Sequence, residues 1–402
     1  MKKRTLVKRT FVIGILCFGI IFLLMHFTKT ESPVNENKAT ESKIEESQII
    51  EDNKIKIAVV GDIMCHNTQF QDAYNKTTDS YDFTYVFDDV KEYLSEPDIT
   101  IGNLETTLAG KSIGYSGYPT FNTPEILAQN LKDLGVDILS TVNNHCMDKG
   151  IKGLQSTIDE LDKVEIKHTG TFKTEEEANK VLTVESNGIK FGIIAYTYGT
   201  NGIAVPKDYT YSVNLIDKEK IAKDIEKAKS ENVDVIIAIM HWGIEYETSP
   251  NSEQKDLANF LFENGVDIIL GGHPHVLQTM EKRDIELEDG THKDGFIVYS
   301  LGNFVSGQVK TYTKQSVILN IELTKHNSSD SEKKITIDGV SYIPVYMYDS
   351  KGSPRYKLLD IRKNMKLYEN EDSSVSKSLY DTLMSEVQHV YWIMGDEIHE
   401  DF

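Results

Sequence analysis

Cysteine is scarce in this chain. Among 402 residues there are three, and Cys17 falls in an apolar N-terminal run, which leaves Cys65 and Cys146 for the folded part. Two thiols do not make a disulfide framework in a chain this long, and whether they pair is open. Each does sit inside one of the polar motifs described below. Net positive charge is also missing: 43 Lys and Arg stand against 63 Asp and Glu, a formal net charge of -20. That balance argues against a general nucleic-acid binder, because phosphate backbones attract basic faces. It also makes a polyanionic substrate awkward unless a local basic groove or metal ions offset the repulsion.

A third absence concerns the N-terminus. Lys2, Lys3, Arg4, Lys8 and Arg9 precede a largely apolar run from Phe11 to Phe27, in which His26 is the only strongly polar member. The run ends in Leu24-Met25-His26-Phe27 with no small-x-small cleavage site, so an uncleaved anchor is favoured over a removed signal peptide. As a helix it spans roughly 25 Å, enough for a thin or locally adapted bilayer. Residues 1–10 then form a cytoplasmic basic segment and 11–27 a single transmembrane anchor, and the positive-inside rule places the C-terminal part outside the cell. Residues 28–53 are rich in Glu, Lys, Asn and Ser, with few large apolar residues before Ile49, which is the composition of a disordered linker.

From Lys54 onward short apolar runs alternate with longer amphipathic stretches. Strands are expected at Ile55–Val60, Ile99–Ile101, Val136–Val142, Phe191–Tyr196, Val233–Met240, Val266–Leu270 and Phe296–Leu301. Helices are expected at Val86–Leu94, Glu125–Leu134, Gly150–Leu161, Lys218–Ser230 and Glu253–Glu263, and in the last Leu257, Phe260 and Leu261 share one face. This alternation indicates an α/β sheet. Ser316–Leu323 and Lys334–Tyr348 read as further strands, and the chain after Lys377 as a helix with Leu383, Val387 and Val390 on one face. The expected organisation is a folded domain at 54–350 followed by a helical extension at 351–402.

Polar residues recur where these strands stop: Asp62, Asn103, Asn144, His241, His273 and Asn303. A polar residue after one strand is usually a turn former. The same pattern at strand after strand points to a shared site, since open α/β sheets bind ligands outside the carboxyl ends of their strands. In the run Leu270-Gly271-Gly272-His273-Pro274-His275, the glycines allow a sharp turn and the proline fixes the backbone between two imidazoles. Asp62, Glu105, Asn144, His241, His273 and His275 make a mixed oxygen and nitrogen donor set, which suits Mn, Fe or Zn better than Mg or Ca. Six donors exceed one tetrahedral zinc and would suit two divalent ions bridged by a carboxylate. His145, next to Asn144, is placed to protonate a leaving group, with Asp148 to orient it or to cap the following helix.

The combination Gly61-Asp62-Ile63-Met64, Asn103-Leu104-Glu105, Asn143-Asn144-His145-Cys146-Met147-Asp148, His241-Trp242-Gly243-Ile244-Glu245-Tyr246, Gly272-His273-Pro274-His275 and Ser300-Leu301-Gly302-Asn303-Phe304 resembles the CapA-type poly-γ-glutamate capsule synthesis proteins, within the calcineurin-like metallophosphoesterase superfamily. The resemblance covers about 54 to 303. It implies a four-layer α/β/β/α sandwich with the site at one edge of two central sheets, and a role in making, exporting or attaching a γ-linked glutamate polymer. Asn103, Asn143, Trp242, Glu245 and Asn303 are expected to touch substrate or to support the metal ligands. Two departures stand out. Met64 occupies the place of the superfamily's Asp-x-His histidine, and neutral Asn103 leaves Glu105 to supply the bridging carboxylate. His66 could replace the missing imidazole only through an unusual turn. The first metal position is therefore expected to be the weaker one, with His273 and His275 both at the better preserved position.

The sequence thus supports a membrane-anchored extracellular protein of capsule biosynthesis acting through one or two divalent ions. Its partners would be poly-γ-glutamate or a related anionic polymer and other membrane subunits of a capsule synthase. A non-catalytic polymer-binding or scaffold subunit is the alternative. No basic cluster lies beside the motifs, although Lys111, Lys149 and Lys310 are on nearby loops.

Overall fold

Neighbouring residues of the first strand, β1 (Asn53–Ile63), belong to different cores. Ile57 and Val59 pack in one apolar cluster, Ala58 and Val60 in another, and all four are buried. Successive strand side chains point to opposite faces, so a continuous apolar run is what a strand covered on both sides requires. The computed structural model describes residues 51–287, 290–328 and 334–395. The expected cytoplasmic segment and anchor, and nearly all of the linker, lie outside the described residues. Among the described residues no helix is long and apolar enough to cross a membrane.

The fold is mixed α/β with two main sheets. The first runs β16 (Tyr356–Asp360), β15 (Ile335–Asp349), β14 (Gln315–Lys325), β1, β4 (Ile99–Leu104), β5 (Ile138–Ser140) and β6 (Lys167–Thr169), with β13 (Asn303–Val305) also beside β1. The second runs β11 (Leu277–Glu286), β12 (His292–Leu301), β10 (Ile268–Gly272), β9 (Val235–His241), β8 (Ile189–Thr197) and β7 (Leu182–Ser186). β2 (Tyr74–Asn75) and β3 (Ser80–Tyr81) form a small separate ribbon. β1, β4, β5 and β6 are parallel, as are β8, β9, β10 and β12, so their carboxyl ends face the same way within each sheet.

One apolar core joins the two sheets, through residues such as Ile57, Val59, Ile237, Ile268 and Leu270. Helices cover the outer faces. Leu127 and Leu131 of the helix Ile126–Leu134 pack with Ala58 and Val60, while Leu261 of the helix Ser252–Asn264 packs with Ile269 and Met240. The latter helix starts at an Asn251–Gln254 capping box and stops at Gly265, whose φ of 115° favours glycine.

The structure differs from expectation at the edges. β6, β7 and β11 have no apolar run to announce them, because edge strands are only partly covered; β7 has no buried residue. Val86–Leu94, expected as one helix, is a 3-10 turn at Thr84–Phe87 and a short helix at Glu92–Ser95. The segment after residue 350 begins with a strand, β16, before the helices Ile361–Glu369 and Lys377–Met394. β16 pairs antiparallel with β15, and the helix Lys377–Met394 contributes Val390, Ile393 and Met394 to the core between the sheets.

Candidate metal centre

Asp62 stands where the two sheets meet. At the end of β1 it is in register with Asn103 of β4 on one side and Asn303 of β13 on the other. The approach needs glycine: a Cβ on Gly61 would lie 2.1 Å from the Gly302 carbonyl oxygen, and one on Gly272 would lie 2.7 Å from Asp62 Oδ1. Asp62 is fully buried. Its Oδ1 accepts a bond from Asn103 Nδ2 at 2.8 Å, its Oδ2 accepts one from the His273 backbone N–H at 3.1 Å, and His275 Nδ1 lies 3.4 Å from Oδ2. Burial alone would raise this carboxyl, but His275 and His241 outweigh it and hold Asp62 well below the usual carboxylate range.

Glu105, just beyond β4, has the opposite character. It is completely buried, yet neither carboxylate oxygen has a hydrogen-bond partner. Oε1 lies 3.6 Å from His241 Nε2 and 3.9 Å from His275 Nε2. Burial first, and then the Asp62 charge, push the Glu105 carboxyl well above its ordinary value. An unpartnered buried carboxylate is costly, and a cation relieves that cost directly. Donor atoms of Asp62, Glu105 and His241 all lie within 4.8 Å of one another, a buried group that can hold a metal ion.

The histidines divide around Glu105. His241 Nε2 is 3.0 Å from Asn144 Oδ1, and its ring centroid is 4.8 Å from that of His273. His273 Nδ1 is buried without a partner, the second orphaned donor at the centre. Burial keeps both imidazoles in the neutral, ligating form: His241 is held well below its usual value and His273 is pushed down to about 3, with the neighbouring histidines adding to the shift. His275 goes the other way. Its Nδ1 meets Asn303 Oδ1 at 3.0 Å and Asp62, which leaves Nε2 facing Glu105. The His273 and His275 rings are 5.8 Å apart between centroids. Their backbones take φ of 96° and 60°, and the ring planes are inclined by 60°.

Around this core, Asn143 Nδ2 donates to the Leu104 carbonyl at 2.8 Å and to Asn103 Oδ1 at 3.3 Å, fixing two strand ends to each other. His145 Nδ1 and Asp148 Oδ2 are 2.7 Å apart, and the same Oδ2 accepts the Phe121 N–H at 2.6 Å. Phe121 packs edge-on against the His145 ring. Trp242 is buried among outer-core residues and donates its indole N–H to the Tyr299 carbonyl, so it supports the centre from beneath rather than facing a ligand. Glu245 is exposed on the loop after β9, and its charge adds to the upward push on Glu105. Met64 is buried where an imidazole was expected. His66 does not replace it: its Nδ1 accepts the Gly307 N–H at 3.0 Å, and its ring packs on Phe121. Cys65 and Cys146 are free and buried, and burial raises both thiols to about 12.

Two residues of the site escape the sequence reading. Tyr198 lies with its ring 4.4 Å from that of His273, and Asn201 accepts from Asn144 Nδ2 at 3.2 Å while its own amide nitrogen is 3.4 Å from His145 Nε2. Both follow β8, whose carboxyl end carries the same signal as the other strands: a polar run, Thr197 to Asn201, directly after an apolar one.

A profile of the family described as bacterial capsule synthesis protein PGA_cap matches residues 56–308. The chain belongs to this family. Every residue of the metal centre falls inside the matched segment. The chain is 29% identical over 293 residues to the capsule biosynthesis protein CapA of Bacillus anthracis, covering 69% of this chain and 66% of that protein. It is also 29% identical over 341 residues to the PGA biosynthesis protein CapA of Bacillus subtilis, covering 82% and 80%. The match thus spans just under two thirds of the first relative. Among solved structures, a calcineurin-like phosphoesterase from Bacillus subtilis is similar at 17% identity and a TM-score of 0.43, over 85% of this chain and 98% of that one. The NAD nucleotidase of Haemophilus influenzae is similar at 13% identity and a TM-score of 0.44, over 85% and 60%.

Proposed function

We propose that this family member is a membrane-anchored extracellular hydrolase or transferase of poly-γ-glutamate capsule biosynthesis, export or anchoring, dependent on one or two divalent ions. One observation carries the metal reading: the fully buried Glu105 carboxylate has no hydrogen-bond partner and lies within 4 Å of the His241 and His275 imidazoles. Asp62, Glu105, Asn144, His241, His273 and His275 would hold the ions, and their mixed donors favour Mn, Fe or Zn. Bound there, such an ion supplies Lewis acidity toward a phosphoryl or carbonyl oxygen and lowers the pKa of water. His145, oriented through Nδ1 by Asp148, presents Nε2 as the proton donor to a leaving group. The polymer and other membrane subunits of a capsule synthase are the partners this reading requires.

A non-catalytic polymer-binding or scaffold role is the second reading, and it draws on Met64, a buried side chain with no strong metal donor at a ligand position. The two separate in one experiment on the purified full-length chain. Metal content is measured together with turnover of a γ-linked glutamate oligomer and of a phosphodiester. The enzyme reading expects His145→Ala to keep its metal and lose turnover and capsule formation. Full capsule formation by that variant would support the scaffold instead.

A further inference from the structure

We propose that Lys310 is an anion-recognising residue at the mouth of the metal centre and takes a carboxylate or phosphate group of the substrate chain. The inference rests on the reading that the centre faces a substrate, and it concerns a residue beyond the segment that defines the family match.

The loop that carries Lys310 is tied to the centre rather than hanging free. Asn303, whose Oδ1 meets His275 Nδ1, donates its Nδ2 to Gln308 Oε1 and to the Thr313 carbonyl, both at 3.0 Å. Thr313 in turn donates its hydroxyl to the Lys310 carbonyl at 2.8 Å, and the Gly307 N–H is held by His66. One buried amide therefore fixes both an imidazole at the centre and the two ends of the loop. The Lys310 side chain completes the link from outside: its Nζ lies 3.5 Å from the centre of the Tyr246 ring. Tyr246 is itself pinned to the His-Pro-His turn, by its N–H to the Pro274 carbonyl at 2.8 Å, and its ring centroid is 6.1 Å from that of His275.

The partner of Lys310 is what gives this arrangement a purpose. An aromatic face steadies an ammonium group without neutralising it. Among the described residues Lys310 has no carboxylate partner, whereas Lys111 pairs with Asp79 at 3.3 Å and Lys149 donates to Thr120. Glu245 is exposed beside Tyr246 but makes no ion pair with Lys310. In a chain of net charge -20, an ammonium without an ion-pair partner, held on the Tyr246 ring beside His275, offsets the repulsion an anionic substrate meets. Tyr198 lies against His273.

The test uses the full chain with two labelled probes, a γ-linked glutamate hexamer and a phosphomonoester, at low and high salt. Lys310→Ala should weaken one of them by about three- to fivefold at low salt, the range of an exposed charge contact, and Lys310→Arg should restore it. The probe that responds identifies the group as carboxylate or phosphate. Lys111→Ala, the control for bulk charge, should change neither. Unchanged binding of both probes by Lys310→Ala, an equal loss in Lys111→Ala, or no binding by the parent chain overturns the inference. Metal content of the same samples separates the two readings: loss of the metal reading appears as a parent chain without bound metal, whatever Lys310 does.

Discussion

The two sides of Glu105 are furnished unequally. On one side are His241, Asn144 and the orphaned Nδ1 of His273; on the other is His275, with Asn303 behind the imidazole, and Asp62 reaches both, 4.0 Å from His241 Nδ1 and 3.4 Å from His275 Nδ1. The His241 side has one polar atom left without a protein partner, His273 Nδ1. The His275 side is already knit by hydrogen bonds, and Asp62 accepts from both Asn103 and the His273 backbone. Buried polar groups are normally satisfied, so the side with the unmet donor is the one shaped by something the protein must take up. Glu105 belongs to both sides, which makes it the residue whose loss should matter most.

Glu105→Gln is therefore expected to have the largest effect, a fall of at least about 100-fold in metal affinity, beyond what loss of a supporting residue causes. Elemental analysis of the purified variant against the parent checks it. A variant that keeps full metal content would remove Glu105 from its central position and dissolve the comparison.

A finer cut separates the sides. His273→Ala should weaken the first equivalent of metal by about 10- to 100-fold or more, because it removes one of the few donors on the better furnished side. His275→Ala should leave that first equivalent in place and lower only the uptake of a second. Titration with Mn at substoichiometric and then excess ratios reads both. If the two alanine variants lose the first equivalent alike, the sides are not distinct.

How much of this was legible beforehand follows from burial. Strands covered on both faces announce themselves, since Ile57 and Ala58 must both be apolar to serve two cores; β7 and β11, open on an edge, carry no such mark. The donor set was readable for a related reason, because Asp62, Glu105, His241, His273 and His275 are polar residues placed where apolar strands end. What the sequence could not assign was direction. The orientation of His273 and His275 depends on two positive φ values around Pro274, and the use of Nδ1 of His66 depends on a loop that arrives 241 residues later. Tyr198 and Asn201 were missed because Tyr and Asn after a strand look like ordinary turn residues until a histidine is seen beneath them.

The smallest expected effect is on stability, and it follows from the sign of the Glu105 shift. Its folded-state pKa is raised above the unfolded value by burial and by Asp62, so the folded chain keeps a proton that the unfolded chain has released. The stability this group contributes is present below the unfolded pKa, near 4.3, and is lost as pH rises toward the folded value. His241 and His273 act in the opposite sense: their folded values are depressed, so their contribution is present above about 6.5 and is lost as pH falls toward the folded values. Glutamine cannot titrate. In the presence of a chelator, the melting temperature of Glu105→Gln should therefore gain on that of the parent as pH is raised from about 5 to about 8, while both share the histidine slope. Adding metal should reverse the order, because only the parent then has a cation to meet its carboxylate. A pH-independent gap between the two chains would mean that Glu105 is not the group holding the proton, and the unmet charge at the centre would have to lie elsewhere.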